Sequence, residues 1–140
     1  MKRFLILAIC FIALSCSTDD GDFQDFRFEI LPIESVEMPE AFTFGQEYQI
    51  QYTYLVPSTC HVFNDLYYVS EENTRTVAVV NTVFESNGTS SCETLTNTLM
   101  ERSFRFIVVN HEGSYTFRFW QGVDDNGDDI YMIYEVPVIN

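Results

Sequence analysis

The chain has 140 residues and is strongly acidic, with 21 Asp and Glu against seven Lys and Arg and a formal net charge of −14. A negative field of this size repels the phosphates of nucleic acids and anionic lipid headgroups, so nucleic acid binding is excluded as a function. The length is sufficient for one domain with a hydrophobic core.

The amino terminus predicts an export signal. Met1-Lys2-Arg3 is a short basic start, and eleven apolar residues follow from Phe4 to Leu14. This segment is too short to cross a bilayer, which takes about 20 apolar residues. It matches the apolar region of a secretory signal. Ser15 and Cys16 come next, so we assign residues 1–15 to a signal peptide.

The order of basic start, short apolar core, small residue and Cys resembles a bacterial lipoprotein signal. The resemblance covers about the first sixteen residues and implies cleavage before Cys16 and lipidation of its thiol. One position departs from the family pattern, because Ala13 stands where Leu is commonest. The resemblance implies that the membrane is a partner through the N-terminal lipid, and secretion without a lipid is the alternative.

Residues 16–25 are interpreted as the lipidated Cys and an acidic tether. Ser17 to Asp22 resembles the tether of lipoproteins in Bacteroidota-type envelopes, which implies an outer-membrane location and exposure at the cell surface. The alternative is a solvated linker that carries no localisation signal. A location at the periplasmic face of the outer membrane is then equally compatible with the sequence. Without residues 1–15 the chain keeps five Arg, no Lys and all 21 acidic residues, a formal charge of −16.

From residue 26 onward, apolar and polar residues mostly alternate with a period of two, which predicts strands rather than helices. Turn residues such as Gly, Pro, Asn and Ser separate the apolar runs. Seven strands are predicted, at Phe26–Ile30, Tyr48–Val56, His61–Val69, Thr76–Phe84, Arg102–Val109, Tyr115–Trp120 and Ile130–Val138.

Seven closely spaced strands in little more than a hundred residues predict an all-β domain over residues 26–140, an immunoglobulin-like antiparallel β-sandwich. Gly113-Ser114-Tyr115 resembles the tyrosine corner of immunoglobulin-like domains, which implies that the Tyr115 hydroxyl bonds to nearby backbone. Phe117 stands where those domains carry their second Cys. The antibody-type disulfide between the sheets is therefore absent.

Cys60 and Cys92 are the only cysteines left after Cys16, and an even pair in an exported chain predicts a disulfide. It would close a loop of about thirty residues and stabilise the fold by roughly 3–4 kcal/mol. Because the two positions follow the second and fourth predicted strands, the bridge should tie loops or an edge. A metal or redox pair would need a CxxC motif or further ligands, which the sequence does not offer.

An acidic segment near the carboxyl terminus is a candidate calcium site, because carboxylate and amide oxygens suit a cation that takes about six to eight oxygen ligands. An EF-hand is excluded, since placing Gly127 at its glycine position puts Gly122 first and Ile133 last. Asn-Gly between alternating strands predicts a tight hairpin turn, which is compatible with calcium binding. The candidate ligands are Asp124, Asp125, Asn126, Asp128 and Asp129.

Catalytic signatures are absent from the sequence. His61 and His111 are the only histidines, and a Cys-His nucleophile would need Cys60 as a free thiol. There is no G-x-S-x-G elbow, no HExxH and no phosphate-binding glycine loop. With 21 carboxylates, chance acidic pairs are expected, so we do not expect an enzyme.

Aromatic residues supply the remaining candidate site. Thirteen Phe, eight Tyr and one Trp make up 16% of the chain. Adjacent aromatics in Tyr67-Tyr68 and Phe119-Trp120 must point to opposite faces of a strand. We predict a ligand platform for a sugar or a peptide at Trp120, Arg118 and Tyr68. In the alternative interpretation, Trp120 packs under a loop.

The sequence therefore predicts a cell-envelope lipoprotein with a non-catalytic binding or structural β-sandwich module. Its protein or glycan ligand is not defined by the sequence. Two alternatives remain, a small exported hydrolase that uses acidic residues and a calcium-dependent adhesion module built on the 124–129 loop.

Overall fold

A computed structural model describes residues 25–85 and 91–139, and within them the chain is all-β with no helix. The predicted signal, Cys16 and the tether up to residue 24 lie outside the described residues, so lipidation stays a prediction. Nine strands are present: β1 (Phe26–Leu31), β2 (Ile33–Glu37), β3 (Phe42–Thr43), β4 (Glu47–Leu55), β5 (His61–Glu71), β6 (Thr74–Phe84), β7 (Leu99–Ile107), β8 (Ser114–Val123) and β9 (Asp129–Ile139).

The strands form two sheets, which confirms the predicted β-sandwich. The small sheet has the order β2-β4-β7, and the large sheet contains the other six strands. Each of the seven predicted strands exists in the structure. No helix in the described part of the chain is long and apolar enough to cross a membrane.

The observed sandwich has more strands than predicted, and not all of its pairs are antiparallel. The additional strands are β2, which follows Pro32, and the two-residue β3. β3 pairs with β9, and β6 pairs with β8, in parallel orientation. A period-two pattern needs several residues to be visible, so it does not reveal the two-residue β3 or the short β2 that follows Pro32.

Strand β6 organises the large sheet. One of its edges pairs with β5 along nearly its whole length. The other edge pairs with β1 at residues 79–84 and with β8 at residues 74–77, so β1 and β8 lie end to end beside it. Because successive side chains of a strand point to opposite faces, the odd-numbered residues of β6 face the small sheet and the even-numbered residues face away from it.

The core lies between the sheets and is rich in aromatic side chains. The Phe117 and Phe119 rings stack with centroids 6.0 Å apart, and Phe42 contacts Phe106 at 5.0 Å. Two polar residues, Arg75 and Asn81, are also buried on the inner face of β6. The Asn81 amide has no hydrogen-bond partner among the described residues, which costs about 1–3 kcal/mol.

The predicted tyrosine corner is confirmed. Tyr115 is fully buried, and its hydroxyl oxygen accepts hydrogen bonds from the backbone N–H groups of Val109 at 3.2 Å and Asn110 at 3.1 Å. These two donors belong to the β7–β8 connection, which lies just upstream of Tyr115. The hydroxyl thus fixes the path of this connection over the end of the sandwich.

The Cys60–Cys92 disulfide is present, with a Cα–Cα distance of 5.4 Å. It joins the β4–β5 turn to the segment that precedes β7. The Thr59 N–H donates to the carbonyl of Glu93 beside it at 3.0 Å. The bridge therefore ties two connections rather than the two inner faces, as the cysteine positions predict.

Candidate functional site

The outer face of the large sheet, which points away from the small sheet, exposes large apolar side chains. Phe28 is 61% exposed and Phe26 is 55% exposed. Phe28 and the exposed Val62 both stand opposite Thr82, one from each side of β6, so they share this face. The solvent-facing positions of a sheet are usually occupied by polar residues. A contiguous exposed apolar surface therefore marks an interaction site. The exposed apolar residues of this face are Phe26, Phe28, Ile30, Val62, Tyr67 and Ile133.

A cavity of about 330 Å³ opens on the same face, and we call it the Trp120 pocket. Its walls come from five strands, because β1, β5, β6 and the β8–β9 hairpin meet here. The residues that line it are Ile30, Tyr67, Thr76, Ala78, Trp120, Asp129 and Tyr131. Three aromatic rings, two of them with a phenolic hydroxyl, the Thr76 hydroxyl and one carboxylate thus line a space large enough for a small ligand.

Two aromatic rings of the Trp120 pocket, Trp120 and Tyr131, are held by polar contacts. The Trp120 indole N–H donates to Asp129 Oδ1 at 2.8 Å, and the Tyr131 hydroxyl donates to Asp129 Oδ2 at 3.2 Å. The Arg118 guanidinium lies 4.1 Å from the centroid of the Tyr131 ring. Partial burial and the Asp129 charge raise the pKa of Tyr131, so its hydroxyl stays protonated at neutral pH. The platform is therefore preorganised.

The structure places two of the three predicted platform residues on the outer face. Trp120 and Arg118 lie there, but Tyr68 points inward, with its ring centroid 5.8 Å from that of Phe104. Tyr67 takes the position that we predicted for Tyr68. The cause is a bulge in β5 between Phe63 and Asp65, which shifts the register and reverses the alternation of faces beyond it.

The predicted hairpin at Asn126-Gly127 is confirmed. Val123 pairs with Asp129, the Asp124 N–H donates to the Asp128 carbonyl at 2.8 Å, and the Gly127 N–H donates to the Asp124 carbonyl at 3.0 Å. Gly127 has φ +86°, the left-handed conformation that closes a three-residue turn of this type.

Two acidic side chains of this hairpin have structural contacts, Asp124 in the turn and Asp129 in the Trp120 pocket. Asp124 Oδ1 accepts hydrogen bonds from the N–H groups of Asn126 at 2.8 Å and Asp128 at 2.9 Å, which lower the pKa of Asp124. Asp129 is bound to Trp120. Within the described residues, no three or more His, Cys, Asp or Glu side chains are grouped so that they could hold a metal ion. The structure does not gather the predicted calcium ligands Asp124, Asp125, Asn126, Asp128 and Asp129 into such a cluster.

A serine, a histidine and a carboxylate lie in series at the β4–β5 turn, an arrangement that we did not predict. Ser58 Oγ is 2.8 Å from His61 Nδ1, and His61 Nε2 is 3.5 Å from Glu29 Oε2. The neighbouring N–H groups of Thr59 and Cys60 already donate, to a backbone carbonyl and to Ser58 Oγ. They do not offer the free donors that an oxyanion requires. These contacts tie the turn to β1, and only the Ser-x-x-His spacing signals them in the sequence.

No family model, no curated protein and no solved structure matches this chain. The functional assignment rests on the geometry of the outer face and on the pattern of the amino terminus.

Proposed function

We propose that this protein is a lipid-anchored, non-catalytic binding module of the bacterial outer membrane, and that its Trp120 pocket binds a neutral sugar. The observation that carries the proposal is the pair of rings, Trp120 and Tyr131, that the Asp129 carboxylate holds in place beside Tyr67 and the Thr76 hydroxyl. Ring faces and convergent hydrogen-bonding groups are both present, as ligand recognition in a mainly apolar pocket requires.

Sugar chemistry fits both kinds of group. The C–H face of a pyranose is apolar and packs on a flat ring such as Trp120 or Tyr67. Sugar hydroxyls donate hydrogen bonds, and Asp129 retains acceptor capacity because each carboxylate oxygen can accept more than one hydrogen bond. Thr76 adds a hydroxyl that donates or accepts. Because Asp129 already holds the Trp120 and Tyr131 rings in place, these two side chains lose little conformational entropy on binding.

The charge of the chain selects among sugars. A formal charge of −16 without the signal peptide repels uronic acids and sulfated glycans. The carboxylate at the pocket adds to this repulsion locally. A neutral glycan is therefore the favoured ligand class.

The envelope location is supported by the lipoprotein-like amino terminus and by the Cys60–Cys92 bridge, since disulfides persist in oxidising compartments outside the cytoplasm. Replacement of Cys16 tests the anchor. We expect Cys16→Ala to abolish labelling by a fatty-acid analogue and to release the protein from membranes. Continued labelling and membrane fractionation of the variant would refute the anchor and leave the pocket proposal untouched.

Intrinsic fluorescence tests the pocket directly, because Trp120 is the only tryptophan of the chain. We expect maltohexaose, mannohexaose, cellohexaose or xylohexaose at millimolar concentration to change the emission saturably. Tyr67→Ala should weaken binding at least tenfold. Its matched control is Tyr68→Ala, which removes the neighbouring tyrosine from the opposite face. The sugar proposal is wrong if no probe changes the emission, or if both variants lose binding equally.

A second candidate function rests on the exposed apolar side chains beyond the pocket. We propose that a second copy of the chain packs on the outer face. The face is four strands wide, about 4.8 Å apart, and β6 is eleven residues long. At about 3.3 Å per residue this gives roughly 700 Å², close to the ~800 Å² per partner of a standard interface.

Sedimentation velocity tests this second candidate. We expect the wild-type protein to be a dimer at micromolar concentration. Phe28→Ser should be a monomer, because Phe28 lies among the exposed apolar side chains of the outer face. Phe44→Ser is a matched control, since Phe44 is an exposed phenylalanine outside the outer face. A monomeric wild-type protein at every concentration would refute the dimer. The sugar proposal would be unaffected, because fluorescence tests it separately.

A further inference from the structure

A groove runs along the open side of the sandwich, between the edge strands β5 and β7. In the described chain β5 pairs only with β6, and β7 pairs only with β4, so each strand has an unpaired edge here. A cleft of about 460 Å³ occupies the groove, and we call it the edge groove. The residues that line it include Asp65, Leu66, Tyr68, Arg75 and Arg105.

Arg75 is the only charged side chain that is buried among the described residues, with 7% exposure. Its Nη1 donates to the backbone carbonyls of Glu72 at 2.8 Å and Thr74 at 2.9 Å. The guanidinium carbon lies 5.0 Å from the centroid of the Tyr115 ring. Within the described residues, no carboxylate lies within 4.0 Å of this guanidinium.

The missing carboxylate is notable because buried charges in proteins are normally paired. The chain has 21 acidic residues, yet the one buried cation of the described residues has backbone carbonyls and aromatic rings beside it and no carboxylate from this part of the chain. Burial raises the pKa of Tyr68, and the charge and hydrogen bond of Arg75 act against that rise. Tyr68 is therefore a neutral hydrogen-bonding neighbour of Arg75. A guanidinium has more N–H donors than these two hydrogen bonds use, and Arg75 is one of the residues that line the edge groove.

Further cations lie along the same side. Arg105 lines the edge groove, and its Nη1 also lies 3.5 Å from Glu47 Oε2. Arg102 lies over the Phe63 ring at 4.7 Å, in the neighbouring cleft between the same two strands. Three of the five arginines of the described chain thus line this side of an otherwise acidic domain. The groove also contains Asp65, whose carboxylate accepts a hydrogen bond from the adjacent Leu66 N–H at 2.8 Å.

We propose that the edge groove binds an acidic peptide segment in an extended conformation, with one peptide carboxylate paired to Arg75. Arg102 and Arg105 supply the flanking positive charge, which complements an acidic sequence. The unpaired edges of β5 and β7 supply backbone donors and acceptors for an added strand. The site lies on a different side of the domain from the Trp120 pocket and does not depend on the proposed sugar binding.

Fluorescence polarisation with labelled hexaglutamate tests the proposal on the folded protein. We expect saturable binding that weakens as salt is raised, because surface charge pairs are screened by salt. Labelled hexaglutamine should bind at least tenfold more weakly. Equal binding of the two peptides, or no binding of hexaglutamate, would overturn the proposal.

Variants locate the site. Arg75→Gln should weaken hexaglutamate binding at least tenfold, while Arg118→Gln on the outer face should change it less than twofold. Both variants remove one positive charge, so equal losses would show non-specific attraction and overturn the site. Since Arg75→Gln removes buried hydrogen bonds, the double variant Arg102→Gln with Arg105→Gln is the surface alternative. It too should lose binding at least tenfold, and unchanged binding would contradict the groove.

Discussion

The two faces of the large sheet are built from the same strands and from similar aromatic residues, but they have opposite environments. Phe117 and Phe119 on the inner face are 0% exposed, whereas Phe26 and Phe28 on the outer face are more than half exposed. Inner side chains gain the free energy of burial against the small sheet. Outer side chains gain this free energy only when a ligand or a partner covers them.

The contrast teaches that aromatic content alone does not distinguish a core from a binding surface. The inner rings are held by packing against each other, as in the Phe117–Phe119 stack. The outer rings Trp120 and Tyr131 are held by Asp129 and Arg118 instead. Polar contacts that orient an exposed ring are the feature that indicates a site.

The sharpest test of the contrast compares one phenylalanine from each face. We expect Phe117→Ala to lower the free energy of unfolding by about 3–5 kcal/mol, because it leaves a cavity in the core. Below the concentration at which the proposed dimer forms, Phe28→Ala should change it by less than about 0.5 kcal/mol, as substitutions at exposed positions do. Urea denaturation of both variants measures the difference. Similar losses would mean that the outer face is also covered in the folded protein.

The disulfide belongs to neither face of the large sheet. Its removal should therefore destabilise the fold without changing the difference in exposure between the two faces. We expect Cys60→Ser with Cys92→Ser to lower the free energy of unfolding by roughly 3–4 kcal/mol, since the bridge restricts the unfolded chain. Thermal denaturation of the variant, with reduced wild type as the control, measures this. An unchanged melting temperature would contradict a stabilising role for the bridge.

Tyr115 tests a polar contact on the inner face. Tyr115→Phe keeps the buried ring but leaves the N–H groups of Val109 and Asn110 without their acceptor, which should cost about 1–3 kcal/mol. Tyr134→Phe is the control, because the Tyr134 hydroxyl has no hydrogen bond within the described part of the chain. Chemical denaturation that gives equal values for the two variants would argue against the tyrosine corner.

The smallest effect concerns Asp124 at the hairpin beyond the outer face. Backbone N–H donors hold the pKa of Asp124 below its ordinary value. Its stabilising contribution is therefore complete above the unfolded-state pKa and is lost as the pH falls through the lower folded-state pKa. NMR titration of the carboxyl carbon should give a lower pKa in the folded protein than in urea. Identical values would show that the turn contacts do not persist in solution.

Much of the fold could be read from the sequence because half-buried strands alternate visibly, as Tyr48 to Val56 does. The turn chemistry of Asn126-Gly127 and the position of Tyr115 were equally local. Each of these signals depends only on neighbouring residues in the chain.

The parts that could not be predicted depend on distant residues or on a register shift. Nothing at Tyr67-Tyr68 reveals the upstream bulge in β5 that exchanges their faces. Arg75 looks like a surface residue at the start of a Val- and Thr-rich strand, and only the assembled sandwich buries it. The contact of His61 with Glu29 likewise needs β1 to lie beside β6.

The end-to-end placement of β1 and β8 along β6 has a mechanical consequence. The described domain begins at β1, so a force from an N-terminal anchor would be transmitted along that strand. Six residue pairs join β1 to β6, and their hydrogen bonds run perpendicular to the direction of pull. Such a load shears all of these bonds together rather than opening them one at a time. The large sheet would thus resist tension between the proposed N-terminal anchor and the ligand proposed to bind on its outer face.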